Sequence, residues 1–258
     1  MNIHLTLTPI LQKAASIFFS IGMLTGLAAV TFGLISCGGG GGGGGGSSSS
    51  TASGAMTVSS FNPPGIVASS VYQTIVISGS NFASGVSLSI IGSSGTPVVS
   101  SVAVTNSNTL TAVIQIASAP SARYVTLSVQ PPSSAVAVTQ VLGVASVRKT
   151  YADHIYPLMQ TNSTGQNCRG CHNGTANGGL HLNSADSANN LINEYSPNCT
   201  SRLRVKRGDP RRTSSFLIDK IQATGGSPAC YGTPMPNGVP LNASEILDFI
   251  EWVAGGAY

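Results

Sequence analysis

Cys168, Arg169, Gly170, Cys171 and His172 set two thiols three positions apart with an imidazole directly after the second. Residues three apart share a helix face, so both sulfurs can add to the two vinyl groups of one haem. The following imidazole is then held under the iron, which makes His172 the expected proximal ligand and one covalent haem c the expected cofactor. Two other chemistries use C-x-x-C: a zinc half-site would need two further ligands at finger-like spacing, and a thiol–disulfide pair has no need of the histidine. A haem iron also needs a sixth ligand or an open position. Met235 stands in Thr233-Pro234-Met235-Pro236-Asn237-Gly238, where the prolines fix a loop, and it is the expected second metal ligand. Thioether sulfur favours Fe(II), so a His172/Met235 pair predicts a raised potential. The rivals for that position are His181, His154 and Met159. Alternation in Gly179-Leu180-His181-Leu182 points His181 outward, and His154 falls on the approach to the motif.

The other cysteines are Cys37, Cys199 and Cys230. In an oxidising compartment the simplest pairing of the last two is with each other, a crosslink worth about 3 to 4 kcal/mol by loop-closure entropy. Cys37 ends Leu34-Ile35-Ser36-Cys37, which has the form of a lipobox, after Lys13 and the apolar run 14–33. Residues 1–36 are therefore expected to be a lipoprotein signal peptide, with Cys37 lipidated and the mature protein exported. The alternative is an uncleaved membrane anchor, since the apolar run is about one membrane span long. The expected location is the cell envelope, as an outer-membrane lipoprotein facing the periplasm or the cell surface.

Charge divides the chain. Only 8% of the 258 residues are charged, all 8 acidic residues lie at or beyond Asp153, and Arg123 alone is charged between Cys37 and Val147. The net charge of +4 includes Lys13, and two haem propionates would cancel most of what remains, so a nucleic-acid partner is not expected. Arg202, Arg204, Lys206, Arg207, Arg211 and Arg212 form one basic cluster. It is read either as a docking face for an acidic redox partner or as groups that neutralise propionates and meet solvent.

These residues need elements to hold them. Residues 37–54 are a Gly- and Ser-rich run, a flexible tether. Over 55–147, segments 71–78, 86–90, 102–104, 110–116 and 124–129 carry β-branched residues at period two between turn residues, which predicts a β-sandwich. Ile77-Ser78-Gly79-Ser80-Asn81-Phe82 followed by Gly85-Val86 resembles the second-strand signature of bacterial IPT/TIG-type immunoglobulin-like domains. That resemblance implies an all-β immunoglobulin-like sandwich acting as a spacer, a polymer binder or a partner surface.

Over 148–258 the periodicity turns helical. Short helices are expected over 151–160, 187–192 and 214–221. The final one begins at Asn242 with Glu245 three residues on, a capping box, and puts Ile246, Phe249, Ile250 and Val253 on one face. It is expected to bury against the motif helix. The order of the Cys168–His172 motif, Gly179-Leu180-His181-Leu182, Arg207-Gly208-Asp209-Pro210, Ser215-Phe216-Leu217, Lys220-Ile221 and Met235-Pro236-Asn237-Gly238 resembles the small single-haem cytochrome c modules of bacterial envelope proteins. That resemblance implies an all-α cytochrome c fold over 148–258, thioethers at Cys168 and Cys171, axial His172 and Met235, and electron transfer rather than catalysis. A multidomain electron carrier with a redox partner protein and a lipid anchor is the resulting expectation. The alternatives are a surface-interaction or haem-sensor protein, and a haem peroxidase-like enzyme.

Overall fold

Eight strands build the first half: β1 (Thr57–Asn62), β2 (Gly65–Val67), β3 (Ser69–Ser80), β4 (Ser87–Ile91), β5 (Val98–Asn106), β6 (Thr109–Ile116), β7 (Tyr124–Gln130) and β8 (Val138–Ala145). This computed structural model describes residues 54–92, 96–133, 136–161, 165, 167–173, 179–222, 230, 233–236 and 240–258. The expected leader, Cys37 and the expected tether up to residue 53 lie outside the described residues. The strands form two four-stranded sheets, in the orders β1-β3-β6-β5 and β2-β8-β7-β4. All neighbours are antiparallel except β2 and β8, which run parallel. Alternation sets the inner face, as β6 shows: Leu110, Ala112, Ile114 and Ile116 are buried while the residues between them are half-buried. They share one core with Ile75 and Ile77 of β3 and with Leu127, Val129 and Leu142 of the other sheet.

The second half is not the all-α cytochrome c fold expected for 148–258. Among its described residues, a π-helical turn (Tyr151–Ile155) runs into α1 (Tyr156–Gln160), and α2 (Cys168–Cys171) is a single turn. A 3₁₀ turn (Ala185–Asn190), α3 (Phe216–Ile221) and α4 (Ala243–Ala254) complete the helical elements. Between them lies a two-stranded ribbon of β9 (Tyr195–Ser196) and β10 (Cys199–Leu203), with bridges Ile192–Val205 and Leu203–Ser215. Sheet therefore dominates the described structure. The physical reason is local: Pro157, Gly170, Pro197, Gly208, Pro210, Pro234, Pro236 and Pro240 interrupt the segment often enough that, among the described residues, no α-helix but α4 exceeds two turns.

α4 carries its predicted cap, with the Glu245 amide donating to Asn242 Oδ1 at 2.9 Å and the Asn242 amide donating to Glu245 Oε2 at 3.0 Å. Its burial differs from the expectation. Beyond Phe249 and Val253, Trp252, Glu251 and Ala254 are also buried, because the helix is covered on more than one side. Its main neighbours are β8, β2, the π-helical turn and α3 rather than the motif helix. A Cβ on Gly65 of β2 would lie 2.0 Å from the Ala254 carbonyl oxygen, and one on Gly143 of β8 would lie 2.4 Å from the same atom. Backbone thus docks on backbone, which only glycine permits at those two positions. Glu251 completes the seam: its carboxylate accepts from the Ser146 amide and hydroxyl, each at 2.6 Å, and pairs with Arg123 Nε at 2.9 Å. The described residues belong to one compact unit, Ser50–Tyr258.

Candidate haem site

The motif turn is set by its cap. Asn167 Oδ1 accepts from the Arg169 amide at 2.8 Å, starting α2, and the His172 amide donates to the Cys168 carbonyl at 3.0 Å, ending it. The next connection crosses a loop: the Leu182 amide donates to the His172 carbonyl at 2.8 Å. Cys168 is half-buried and Cys171 exposed, both as thiols. Burial pushes the Cys168 thiol above its usual value, with the neighbouring Cys171 adding to the rise and a backbone hydrogen bond opposing it. That is the opposite of the depressed thiol that a disulfide-exchange pair needs.

A cavity of about 460 Å³ opens beside this turn and is lined by Cys168, Cys171, His172 and Met235 together. Its walls are mainly apolar, with Leu158, Leu180, Leu182, Leu217, Ile221 and Phe249 among them. Phe249 belongs to α4, which explains why α4 does not press on the motif helix: the cavity lies between them. The size falls in the range of about 300–1,000 Å³ typical of cofactor pockets, and soft sulfur and imidazole donors at the margin of an apolar slot suit a haem. Among the described residues, no group of three or more His, Cys, Asp and Glu side chains is placed to hold a metal ion.

The rival ligands fall elsewhere. His181 is exposed and does not line the cavity. His154 Nδ1 accepts from the Thr150 amide at 3.1 Å, a local turn contact. Met159 does line the cavity, but it is buried, with the Tyr151 hydroxyl 3.5 Å from its sulfur. Burial also raises the Tyr151 phenol, and Tyr156 and Cys168 add to the rise.

Met235 is half-buried, in a loop tied to α3 by its amide, which donates to the Lys220 carbonyl at 2.9 Å. A disulfide joins Cys199 to Cys230, with Cα atoms 4.9 Å apart, and packs against Phe216. It connects β10 to the chain that leads into the Met235 loop. Sequence reasoning gave Lys220 no role of its own and placed Arg204 only within the basic cluster; both line the cavity. Arg204 Nη1 donates to the Asn190 carbonyl at 2.6 Å and Nη2 to the Gly179 carbonyl at 3.1 Å, holding the loop after the motif.

Most of the basic cluster is paired with the protein's own carboxylates, which are buried while Lys206, Arg211 and Arg212 remain partly exposed. Arg202 and Arg212 clasp the Asp219 carboxylate at 2.9 and 2.8 Å, and Arg211 and Lys206 clasp Asp209 at 2.7 and 3.4 Å. Burial alone would raise both carboxyls. Hydrogen bonds from Arg211 and Ser214 to Asp209, and from Arg202 and Arg212 to Asp219, outweigh it and hold both below the usual range. Arg207 stacks over the Tyr258 ring at 5.7 Å. The cluster is therefore chiefly a set of intramolecular clamps, a use that composition could not distinguish from a docking face. No protein-family model matches this sequence, and no curated protein is significantly similar to it.

Proposed function

We propose that this protein is a monohaem c-type electron carrier of the bacterial cell envelope, held by a lipid at Cys37 and exchanging electrons with a redox partner protein. The observation that carries the proposal is the shared cavity: Cys168, Cys171 and His172 on one side of the chain and Met235 far along the sequence line the same apolar slot. When bound there, haem supplies reversible one-electron chemistry. Cys168 and Cys171 would hold it by thioethers, and His172 and Met235 would ligate the iron. The leucines and Phe249 keep water from the buried edge, and Arg204 offers a cationic head to a propionate. The Cys199–Cys230 crosslink is in keeping with export to an oxidising compartment. The β-sandwich, which resembles IPT/TIG-type domains in sequence, serves as the spacer that carries the site away from the tether.

Haem staining after denaturing electrophoresis of envelope fractions tests the attachment, since thioethers survive unfolding. The wild-type band should stain, and the Cys168→Ala/Cys171→Ala chain should not; staining of the double variant would overturn the assignment. A low-spin spectrum with a weak far-red sulfur-to-iron band in the ferric state is expected for His172/Met235 ligation. A high-spin spectrum that responds to CO or peroxide would instead favour a sensor or peroxidase-like enzyme.

A further inference from the structure

One residue holds the Met235 loop by two bonds. The Met235 amide donates to the Lys220 carbonyl, and Lys220 Nζ donates to the Thr233 carbonyl, both at 2.9 Å. Pro234 lies between the two gripped positions and Pro236 follows, and neither proline has an N–H to offer, so this stretch has few means of holding itself. Lys220 is itself fixed. It sits in α3, its ammonium lies 5.2 Å from the centre of the Phe216 ring, and its neighbour Asp219 is clamped by Arg202 and Arg212. Both Lys220 and Met235 line the cavity.

We propose that Lys220 is the positioning residue for Met235: its side chain fixes the loop through Thr233 and so sets how firmly the sulfur is presented to the iron. This rests on the reading of Met235 as the sixth ligand. Sulfur that is held in place excludes outside ligands and keeps the potential high, whereas a loose loop lets them in. The bond from the Lys220 ammonium to the Thr233 carbonyl is charge-assisted although it lies at the surface, and its loss should shift the bound-to-released ratio of the sulfur by about tenfold, the low end for such a bond.

The test is a double-mutant cycle on the full haem-loaded protein, with added imidazole competing for the sixth position. Lys220→Met should bind imidazole about tenfold more tightly than wild type and lose much of the far-red band. Lys220→Arg, which retains a cationic donor, should return most of the way. In the Met235→Ala background, Lys220→Met should change imidazole affinity less than about twofold, because no sulfur remains to be positioned. An equal effect in both backgrounds, or none in either, would overturn the proposal. If Met235→Ala alone leaves the spectrum unchanged, the ligand assignment has failed, and hydrogen exchange at the Met235 amide then reads positioning by itself. Exchange accelerated several-fold in Lys220→Met supports the loop-holding role, and unchanged exchange overturns it. Thermal melts identify a variant that has lost its fold, for which Lys220→Gln is substituted.

Discussion

Glu251→Ala should loosen the seam between the sandwich and the half that carries the candidate site by an amount that can be worked out in advance. The wild-type carboxylate is 2% exposed, accepts two hydrogen bonds of 2.6 Å from Ser146, and pairs with Arg123 at 2.9 Å. Removing one partner of a buried ion pair costs about 3 to 5 kcal/mol, because the other charge is left without compensation. Two features lower that figure here: the Arg123 side chain is 21% exposed and Ser146 lies at the surface, so water can recover part of both. A loss of about 3 kcal/mol follows, which for a unit of this size lowers Tm by about 6 to 12 °C. Glu251→Gln keeps the shape and one acceptor, so it should lose about half as much. Circular dichroism melts of the mature protein, with Arg123→Ala and the double variant completing a cycle, measure the pair directly. A Glu251→Ala protein melting within 2 °C of wild type, or an Arg123–Glu251 coupling indistinguishable from zero, would refute the reasoning.

Acid should act through Asp219 and Asp209. Both carboxyls sit lower in the folded protein than the unfolded value of about 3.9, so their stabilisation is complete above about pH 5 and is lost as pH falls through the folded values. Urea midpoints from pH 6 down to pH 2.5 should fall for wild type and fall less for Asp219→Asn, which begins less stable; parallel curves would show that the clamp does not titrate as described. Gly143→Ala puts a methyl 2.4 Å from the Ala254 carbonyl oxygen and 2.6 Å from that of Gly208, so it should cost about 1 to 3 kcal/mol by overpacking, read as a lower urea midpoint. Cys37→Ala should release the protein into the soluble envelope fraction or trap a precursor, checked by fractionation and immunoblot; normal processing with full membrane retention would count against the lipid anchor.

Some of this structure was legible because the signals are local. Period-two alternation from Val71 to Val129 is enough to place strands, since each side chain's face depends only on its position along its own strand. Asn242 and Glu245 announce the start of α4 for the same reason: a capping box closes within four residues. The helical reading of 148–258 failed where short amphipathic stretches were read as a helical fold. Segments as short as 187–192 and 214–221 cannot hold a helix by propensity, so their form is decided by what they pack against. The first became a 3₁₀ turn, and the chain between them became the β9–β10 ribbon.

By itself the sequence determined which residues are candidates to attach and ligate a haem, since two thiols and an imidazole within five residues have their relative placement set by one turn of backbone. It also determined Met235 as a ligand candidate, because flanking prolines declare a loop whatever surrounds it. Only the tertiary structure decided that Met235 and His172 line one cavity, that Lys220 ties down the loop, and that Glu251 reaches Arg123 and Ser146. It alone paired the basic cluster with Asp209 and Asp219. The reason is the same in each case. These contacts join residues distant in the chain, and their partners are chosen by how sheets and short helices stack, a geometry that neither composition nor spacing encodes at any single position.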